Sequence, residues 1–342
     1  MSTLPPSQKE KLRQLILAAQ EERLHHCYLF EGPAGVGKRA AAIQVAQAAA
    51  CTAEAPERPC GTCRQCRTME KGTNFDLVDV GTDPQRKTPI ISVRQAAEIV
   101  EQARMQRYSA RRRTFLLDPA DCLHPQAANA LLKTLEEPPA GTGFILVTSR
   151  VSLLLPTILS RCQRVRFGAL ETGAIQAWLE EQEVAEAPRI ARLSQGRPAH
   201  AQSLAEGGLQ VLDEARESLL AVLSAGPSTL FEYSASVAGR SGESREDWEP
   251  RLDRLFFLVE SLLGDAVAWA NGRHDDLLHG DRPELVAAIS VALWPGGVER
   301  LHRALETARD NHAANVNTKL LVESLVSRVA TELGPARLVS SA

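Results

Sequence analysis

Gly32-Pro33-Ala34-Gly35-Val36-Gly37-Lys38-Arg39 follows an apolar run, Cys27-Tyr28-Leu29-Phe30, and opens an alanine-rich stretch that continues to Cys51. Strand, glycine-rich turn and helix in that order form the context in which the spacing G-x-x-x-x-G-K makes a phosphate loop. Its glycines let backbone N–H groups close around phosphates, the helix start adds the positive end of its dipole, and the lysine reaches the outer phosphates. A plain glycine turn is the weaker reading, because both flanking elements are present. The next position normally carries Ser or Thr, whose hydroxyl holds magnesium; here it is Arg39, a cation with no acceptor. The acidic pair expected at the end of a later strand is also incomplete. Phe115-Leu116-Leu117-Asp118-Pro119 keeps the aspartate, but proline stands where a glutamate would orient the attacking water. Metal and nucleophile are affected separately, so the motif reads as a nucleotide fold without magnesium-dependent hydrolysis. Gly32, Gly35, Gly37, Lys38, Arg39 and Asp118 form this degenerate nucleotide site, and binding of ATP or ADP stays open.

Further strand-length runs follow at Asp76–Val80, Thr114–Asp118 and Phe144–Thr148, with Gln163–Phe167 a fifth. Their alternation with helical patterns predicts a parallel sheet covered by helices, and Ser92 with Gln95 predicts a capping box for the helix before the third strand. After Phe167 only helical patterns remain: Glu171–Gln182 and Ala185–Ser194, then Val211–Ala225, Trp248–Ala270, Arg282–Leu293 and Asn317–Leu333. The expected organisation is an α/β phosphate-loop domain over 1–167, a small helical domain over 168–205 and a C-terminal all-α domain over 206–342.

Cys60-Gly61-Thr62-Cys63-Arg64-Gln65-Cys66 places three thiols at x2 spacing, and Cys51 precedes them at the end of the alanine-rich helix. A tight turn can present such thiolates to one tetrahedral zinc, and four sulfurs leave no open catalytic position. The alternative, free surface cysteines, is unattractive because exposed thiols oxidise. Cys27, Cys122 and Cys162 are expected in the core.

The 342 residues carry 39 Lys plus Arg against 42 Asp plus Glu, a formal charge of -3, so there is no whole-chain drive toward nucleic acid. Any DNA contact has to come from a local patch or from partner subunits. Arg104, Arg107, Arg111, Arg112 and Arg113 form one basic stretch, with Tyr108 inside it. It reads as a solvated helix end, loop or subunit contact in preference to a phosphate-binding patch. The start, Met1-Ser2-Thr3-Leu4-Pro5-Pro6, lacks the apolar core of a secretory signal, and no run approaches the roughly 18 apolar residues of a membrane span. With the cysteines too local for a secreted disulfide framework, a cytoplasmic protein is expected.

His124-Pro125-Gln126-Ala127-Ala128-Asn129-Ala130-Leu131-Leu132-Lys133-Thr134-Leu135-Glu136-Glu137-Pro138-Pro139 is an amphipathic helix with Leu131, Leu132 and Leu135 toward the core and two prolines at its end. Asn129–Pro139 also resembles a hallmark of the bacterial clamp-loader subunits of DNA polymerase III, an AAA+ family. Leu155-Pro156-Thr157-Ile158-Leu159-Ser160-Arg161-Cys162 resembles its Ser-Arg-Cys motif, and the four-cysteine insertion resembles its zinc module. In the C-terminal part only Asn315-Val316-Asn317 and the helix after it look similar to the family. The motor subunits, gamma and tau, keep the full phosphate loop and the acidic pair. Arg39, Pro119 and Ala199, the last in Leu193-Ser194-Gln195-Gly196-Arg197-Pro198-Ala199 where motors carry a sensor arginine, resemble the degenerate delta-prime branch.

The resemblance implies a non-hydrolysing stator in a heteropentameric ring with gamma/tau and delta subunits, which places the sliding clamp on primed DNA. It also implies a lid over 168–205, a ring-forming collar over 206–342, and Arg161 as an arginine finger toward a neighbour's ATP. A helix-capping surface arginine is the plainer reading of Arg161. The competing functions are an active gamma/tau-type ATPase and a stand-alone zinc-containing nucleic-acid binding protein; the net charge argues against the latter.

Overall fold

The computed structural model describes residues 6–83, 89–108, 110–225, 227–239, 242–294, 296–314 and 316–334. Met1–Pro5 and Asn315, both used in the sequence reading, lie outside the described residues. Two compact units are present: one holds residues up to Glu183 together with Ser194–Ala201, the other Val184–Leu193 and residues from Gln202 onward.

In the first unit the elements run α1 (Pro6–Gln20), β1 (Cys27–Glu31), α2 (Lys38–Ala50), α3 (Arg64–Glu70), β2 (Leu77–Val80), α4 (Val93–Arg104), β3 (Arg113–Leu117), α5 (Pro125–Glu136), β4 (Thr142–Thr148), α6 (Pro156–Leu159), β5 (Gln163–Arg166) and α7 (Thr172–Glu180). The strands form one parallel sheet in the order β2-β3-β4-β1-β5. Alternation along β4 explains the layering. Phe144 and Leu146 pack with Phe115, Leu117 and the inner faces of α4 and α5, while Ile145 and Val147 pack with Phe30, Leu116 and α1 and α2. A sheet buried on both faces reads as continuous apolar runs, which is why short stretches such as Cys27–Phe30 identify its strands.

The capping box appears as expected: the Ser92 hydroxyl accepts from the Gln95 backbone N–H at 3.4 Å, and the Ser92 N–H donates to Gln95 Oε1 at 2.9 Å. Leu131 and Leu135 are fully buried, with Leu132 half-buried against the same core. The expectation for the three scattered cysteines needs correction. Cys27 is buried, but Cys122 and Cys162 are only half-buried. Cys122 ends a short turn after β3 that starts at the buried Ala120. Cys162 leads into β5, an edge strand with three exposed positions, while still packing against the core with its Sγ 3.1 Å from Cys27 Sγ. Apolar character alone did not distinguish these strand ends from strand interiors.

The second unit is helical: α8 (Ala187–Leu193), then α10 (Leu209–Ala225), α11 (Pro227–Val237), α12 (Arg245–Ala270), α13 (Pro283–Leu293), α14 (Gly297–Ala313) and α15 (Thr318–Leu333), with α9 (Pro198–Ser203) at the junction in sequence. The sequence reading missed α11 and α14. A buried polar cluster ties α10 to the loop before α13: Arg216 bonds Asp281 at 2.7 and 3.0 Å and His279 Nδ1 at 3.1 Å, and Ser261 contacts His279 Nε2 at 2.8 Å. Burial and the adjacent guanidinium push the His279 pKa down to about 4, which keeps the imidazole neutral. No helix of the described residues is long and apolar enough to cross a membrane.

The joint between β2 and β3 rests on one buried carboxylate. Asp76 accepts from the backbone N–H groups of Tyr108 at 3.0 Å and Ala110 at 2.9 Å, and it pairs with the buried Arg113 guanidinium at 3.1 Å. Arg113 in turn donates to the carbonyls of Gln102, Met105 and Gln106. Removing one partner leaves a buried charge uncompensated, so Asp76→Ala is expected to destabilise the protein by about 3–5 kcal/mol, read as a lowered urea midpoint.

Candidate functional site

At the C-terminal edge of the sheet, β1 runs into the phosphate loop. The loop depends on Gly32: its φ is +142°, and a side chain there would place Cβ 1.9 Å from the Phe167 carbonyl oxygen. Lys38 is buried and donates to the carbonyls of Gly32 at 2.7 Å and Pro33 at 2.6 Å, so the loop's own backbone holds its ammonium. Burial lowers the Lys38 pKa, opposed by the carboxylates of Asp118 and Asp121. Gly37 has left-handed backbone at φ +91° and caps α2.

Arg39 points across the sheet edge. Its guanidinium pairs with Asp79 and, at 3.2 Å, with Asp118. These carboxylates come from neighbouring strands, β2 and the end of β3, where the Asp118 N–H donates to the Val80 carbonyl at 3.0 Å. The side chain that replaces the magnesium-binding hydroxyl therefore puts a permanent positive charge against the acidic group that would face the metal. Hydrogen bonding to Asp79 raises the Arg39 pKa further. Asp79 was not singled out from sequence. The available signal is an acid within the apolar run Leu77-Val78-Asp79-Val80.

The segment with Ala199 lies against the same loop. The Ala199 N–H donates to the Gly35 carbonyl at 3.1 Å, and Arg197 Cβ sits 3.4 Å from where a Gly35 side chain would begin. Position 199, which the sequence shows to be alanine, thus presents a backbone N–H to the loop.

The two hallmark segments meet through Arg161. Its guanidinium donates to Glu136 Oε2 at 2.7 and 3.0 Å and to the Thr157 carbonyl at 3.0 Å. Glu136 ends α5 and is well exposed, so this is a surface ion pair worth no more than about 1 kcal/mol and easily exchanged for another anion.

The Sγ atoms of Cys51, Cys60, Cys63 and Cys66 all lie within 4.8 Å of one another. Cys51 to Cys60 is 3.6 Å and Cys51 to Cys63 is 3.9 Å, close to the roughly 3.8 Å edge expected for sulfurs about 2.3 Å from a tetrahedral zinc. Cys51 caps α2 and Cys63 caps α3, a helix the sequence reading did not separate from the cluster. The backbone N–H groups of Cys63 and Cys66 donate to the Cys60 and Cys63 sulfurs at 3.3 and 3.4 Å. Hydrogen bonds from the Thr62 hydroxyl and from the Cys63 and Thr62 backbones bring the Cys60 pKa down to about 6, whereas burial raises Cys51 and Cys66. That burial favours the neutral thiol at Cys51 and Cys66; a divalent cation would convert all four to thiolates. The donor set fits zinc in a closed, structural site.

Most of the arginine stretch is used internally. Arg111 pairs with Glu22 at 3.1 Å and Glu54 at 2.8 Å, Arg112 donates to the Leu24 and His25 carbonyls at 3.2 and 2.7 Å, Arg113 holds Asp76, and Arg107 bonds the Arg111 carbonyl.

Residues 7–171 match the family model described as DNA polymerase III, delta subunit. The chain is similar to DNA polymerase III subunit delta' of Bacillus subtilis, 30% identical over 93% of this chain and 95% of that one. It is also similar to the Escherichia coli subunit delta', 27% identical over 96% of each. Against Escherichia coli subunit tau the identity is 35%, but the match spans 59% of this chain and about a third of tau. A gamma subunit-related protein of Thermotoga maritima shares the fold, with a TM-score of 0.53 and 16% identity over 94% of this chain and 99% of that one.

The purified protein is expected to contain one zinc per chain by elemental mass spectrometry, falling sharply in Cys63→Ser; equal zinc content in the two proteins would refute the four-sulfur site.

Proposed function

The chain belongs to the family of DNA polymerase III delta' subunits, and from that premise we propose that it is the non-hydrolysing stator of a clamp loader. It would work beside gamma/tau and delta subunits to place the sliding clamp on primed DNA, in the cytoplasm. The observation that carries the reading is Arg39 bridging Asp79 and Asp118. A hydrolytic site needs a hydroxyl and a carboxylate on magnesium and a second carboxylate on the water. Here the hydroxyl position supplies a competing cation, and the water-orienting position is Pro119. ATP or ADP held by the loop would require Lys38 to exchange the Gly32 and Pro33 carbonyls for phosphate oxygens. The stator work would be mechanical. Residues 168–205 would form the lid and 206–342 the collar, and zinc on Cys51, Cys60, Cys63 and Cys66 would brace the loop between α2 and α3.

The chemical contribution would be Arg161. A guanidinium is always charged and offers a rigid donor fork to phosphate oxygens, and its weak pair with Glu136 can be traded for a neighbour's terminal phosphate. The alternative is an active gamma/tau-type ATPase, favoured by the retained glycines and Lys38 and by the 35% identity to tau. It would have to move Arg39 off Asp118 before a metal could bind.

ATP turnover separates the two readings. The isolated chain is expected to be inactive. In a complex reconstituted with gamma/tau and delta, Arg161→Ala is expected to leave assembly intact and to remove the contribution of one neighbouring site, since arginine fingers given in trans accelerate transfer by about 10³–10⁵. Arg161→Lys would not restore it, because an ammonium lacks the fork. Turnover by the chain alone would make it a motor, and normal turnover of the Arg161→Ala complex would remove the finger.

A further inference from the structure

The sheet end opposite the phosphate loop carries an aromatic pair that nothing in the nucleotide site uses. Phe75 is 73% exposed and Tyr108 62% exposed, and their ring centroids are 5.6 Å apart. The Arg64 guanidinium lies 5.3 Å from the centre of the Tyr108 ring. Two large rings this exposed lose apolar burial energy, so their fixed position calls for a cause.

That position is built rather than incidental. Asn74 bonds Gln65 Oε1 and the Thr68 hydroxyl of α3, both at 2.7 Å, and its own Oδ1 accepts the Asp76 and Leu77 N–H groups at 2.8 and 3.1 Å. Phe75 is thereby pinned between α3 and β2. Buried Asp76 then holds the Tyr108 backbone N–H, and Arg113 locks Asp76. Both rings stand on backbone held by partly buried hydrogen bonds, as preorganised binding groups require.

Charge adds direction. Arg64, Arg67 and Lys71 fall at i, i+3 and i+7, on one side of α3 and its C-cap, and all three are exposed. None of them is in an ion pair among the described residues, and Glu70 is the sole acid in the segment 60–75. The nearby arginines that are neutralised, Arg111 and Arg113, mark the difference: this face keeps its cations uncompensated.

We propose that Phe75, Tyr108 and the Arg64, Arg67 and Lys71 face form a binding surface for single-stranded nucleic acid, with bases stacked on the rings and phosphates on the cations. Single strands are bound without sequence preference by this combination of aromatic faces and a positive track. A duplex, whose bases are already stacked, offers the rings nothing. The net charge of -3 is no obstacle, because the attraction is local on the scale of a Debye length of about 10 Å. The surface goes beyond the stator reading and shares no residue with Arg39 or Arg161, so either can fail alone.

The test uses the full-length protein and a fluorescein-labelled oligothymidylate of about 20 nucleotides, followed by anisotropy from about 50 mM salt upward. Phe75→Ala with Tyr108→Ala is expected to weaken binding at least tenfold without changing the urea midpoint or zinc content. Replacing Arg64, Arg67 and Lys71 by Gln should flatten the logarithmic salt slope by about two, at roughly 0.7 per phosphate contact. Oligomers carrying 5-iododeoxyuridine should crosslink at Phe75 or Tyr108. Absence of binding by the wild-type protein, or unchanged affinity in the ring variant, would overturn the proposal. Polyglutamate that competes equally and shows the same loss in the ring variant would overturn it too, by assigning the surface to an acidic protein partner.

Discussion

A guanidinium held between two carboxylates at the C-terminal edge of a parallel sheet is the contact on which the chemistry of this chain turns. Arg39 reaches from the first turn of α2 to Asp79 and Asp118 on adjacent strands. The phosphate loop behind it is closed in the same sense, with Lys38 bonded to the loop carbonyls. An architecture suited to holding a metal nucleotide thus satisfies its charges internally. On the proposed reading this is what a stator needs, because a subunit whose cation site is filled by its own side chain has no hydrolysis cycle to move it.

The same economy governs Arg161. In the chain by itself the guanidinium rests on Glu136, so the arginine and the end of the LLKTLEEPP helix form one exposed unit. A surface pair of that kind is weak in water, and a triphosphate offers more charge than one carboxylate. On the proposed reading, release from Glu136 would cost little compared with what a neighbour's phosphate would supply.

The opposite end of the sheet is organised by burial. Asp76 is desolvated, paired with Arg113 and bonded to two backbone N–H groups, which fixes how the start of β2 and the loop before β3 meet. The two aromatic rings stand on that joint. Their rigidity follows from the fact that a buried carboxylate tolerates few alternative arrangements of its donors.

How much was legible varied with the kind of interaction. The strands showed as apolar runs because both sheet faces are covered, and the zinc-type cluster showed because its ligands are close in sequence. α11 and α14 were missed, and Cys122 and Cys162 were placed too deep, since apolar character does not report whether a residue ends an element at the surface. The basic stretch 104–113 looked like one patch. Folding divides it, because Arg111 finds Glu22 and Glu54 while Arg113 finds Asp76, at separations in sequence that no local pattern encodes.

The sequence by itself determined the loop chemistry: glycines and Lys38 in phosphate-loop spacing, Arg39 for a hydroxyl, Pro119 for a carboxylate and four thiols in one short segment. These are properties of residue type and local spacing. Only the tertiary structure decided that Arg39 occupies the space between Asp79 and Asp118, that Arg161 rests on Glu136, and that Phe75 meets Tyr108 beside Arg64. Each of those pairs is brought together by strand register or helix packing. Partners distant along the chain are chosen by the fold, and their charges and rings acquire meaning only at the distances it sets.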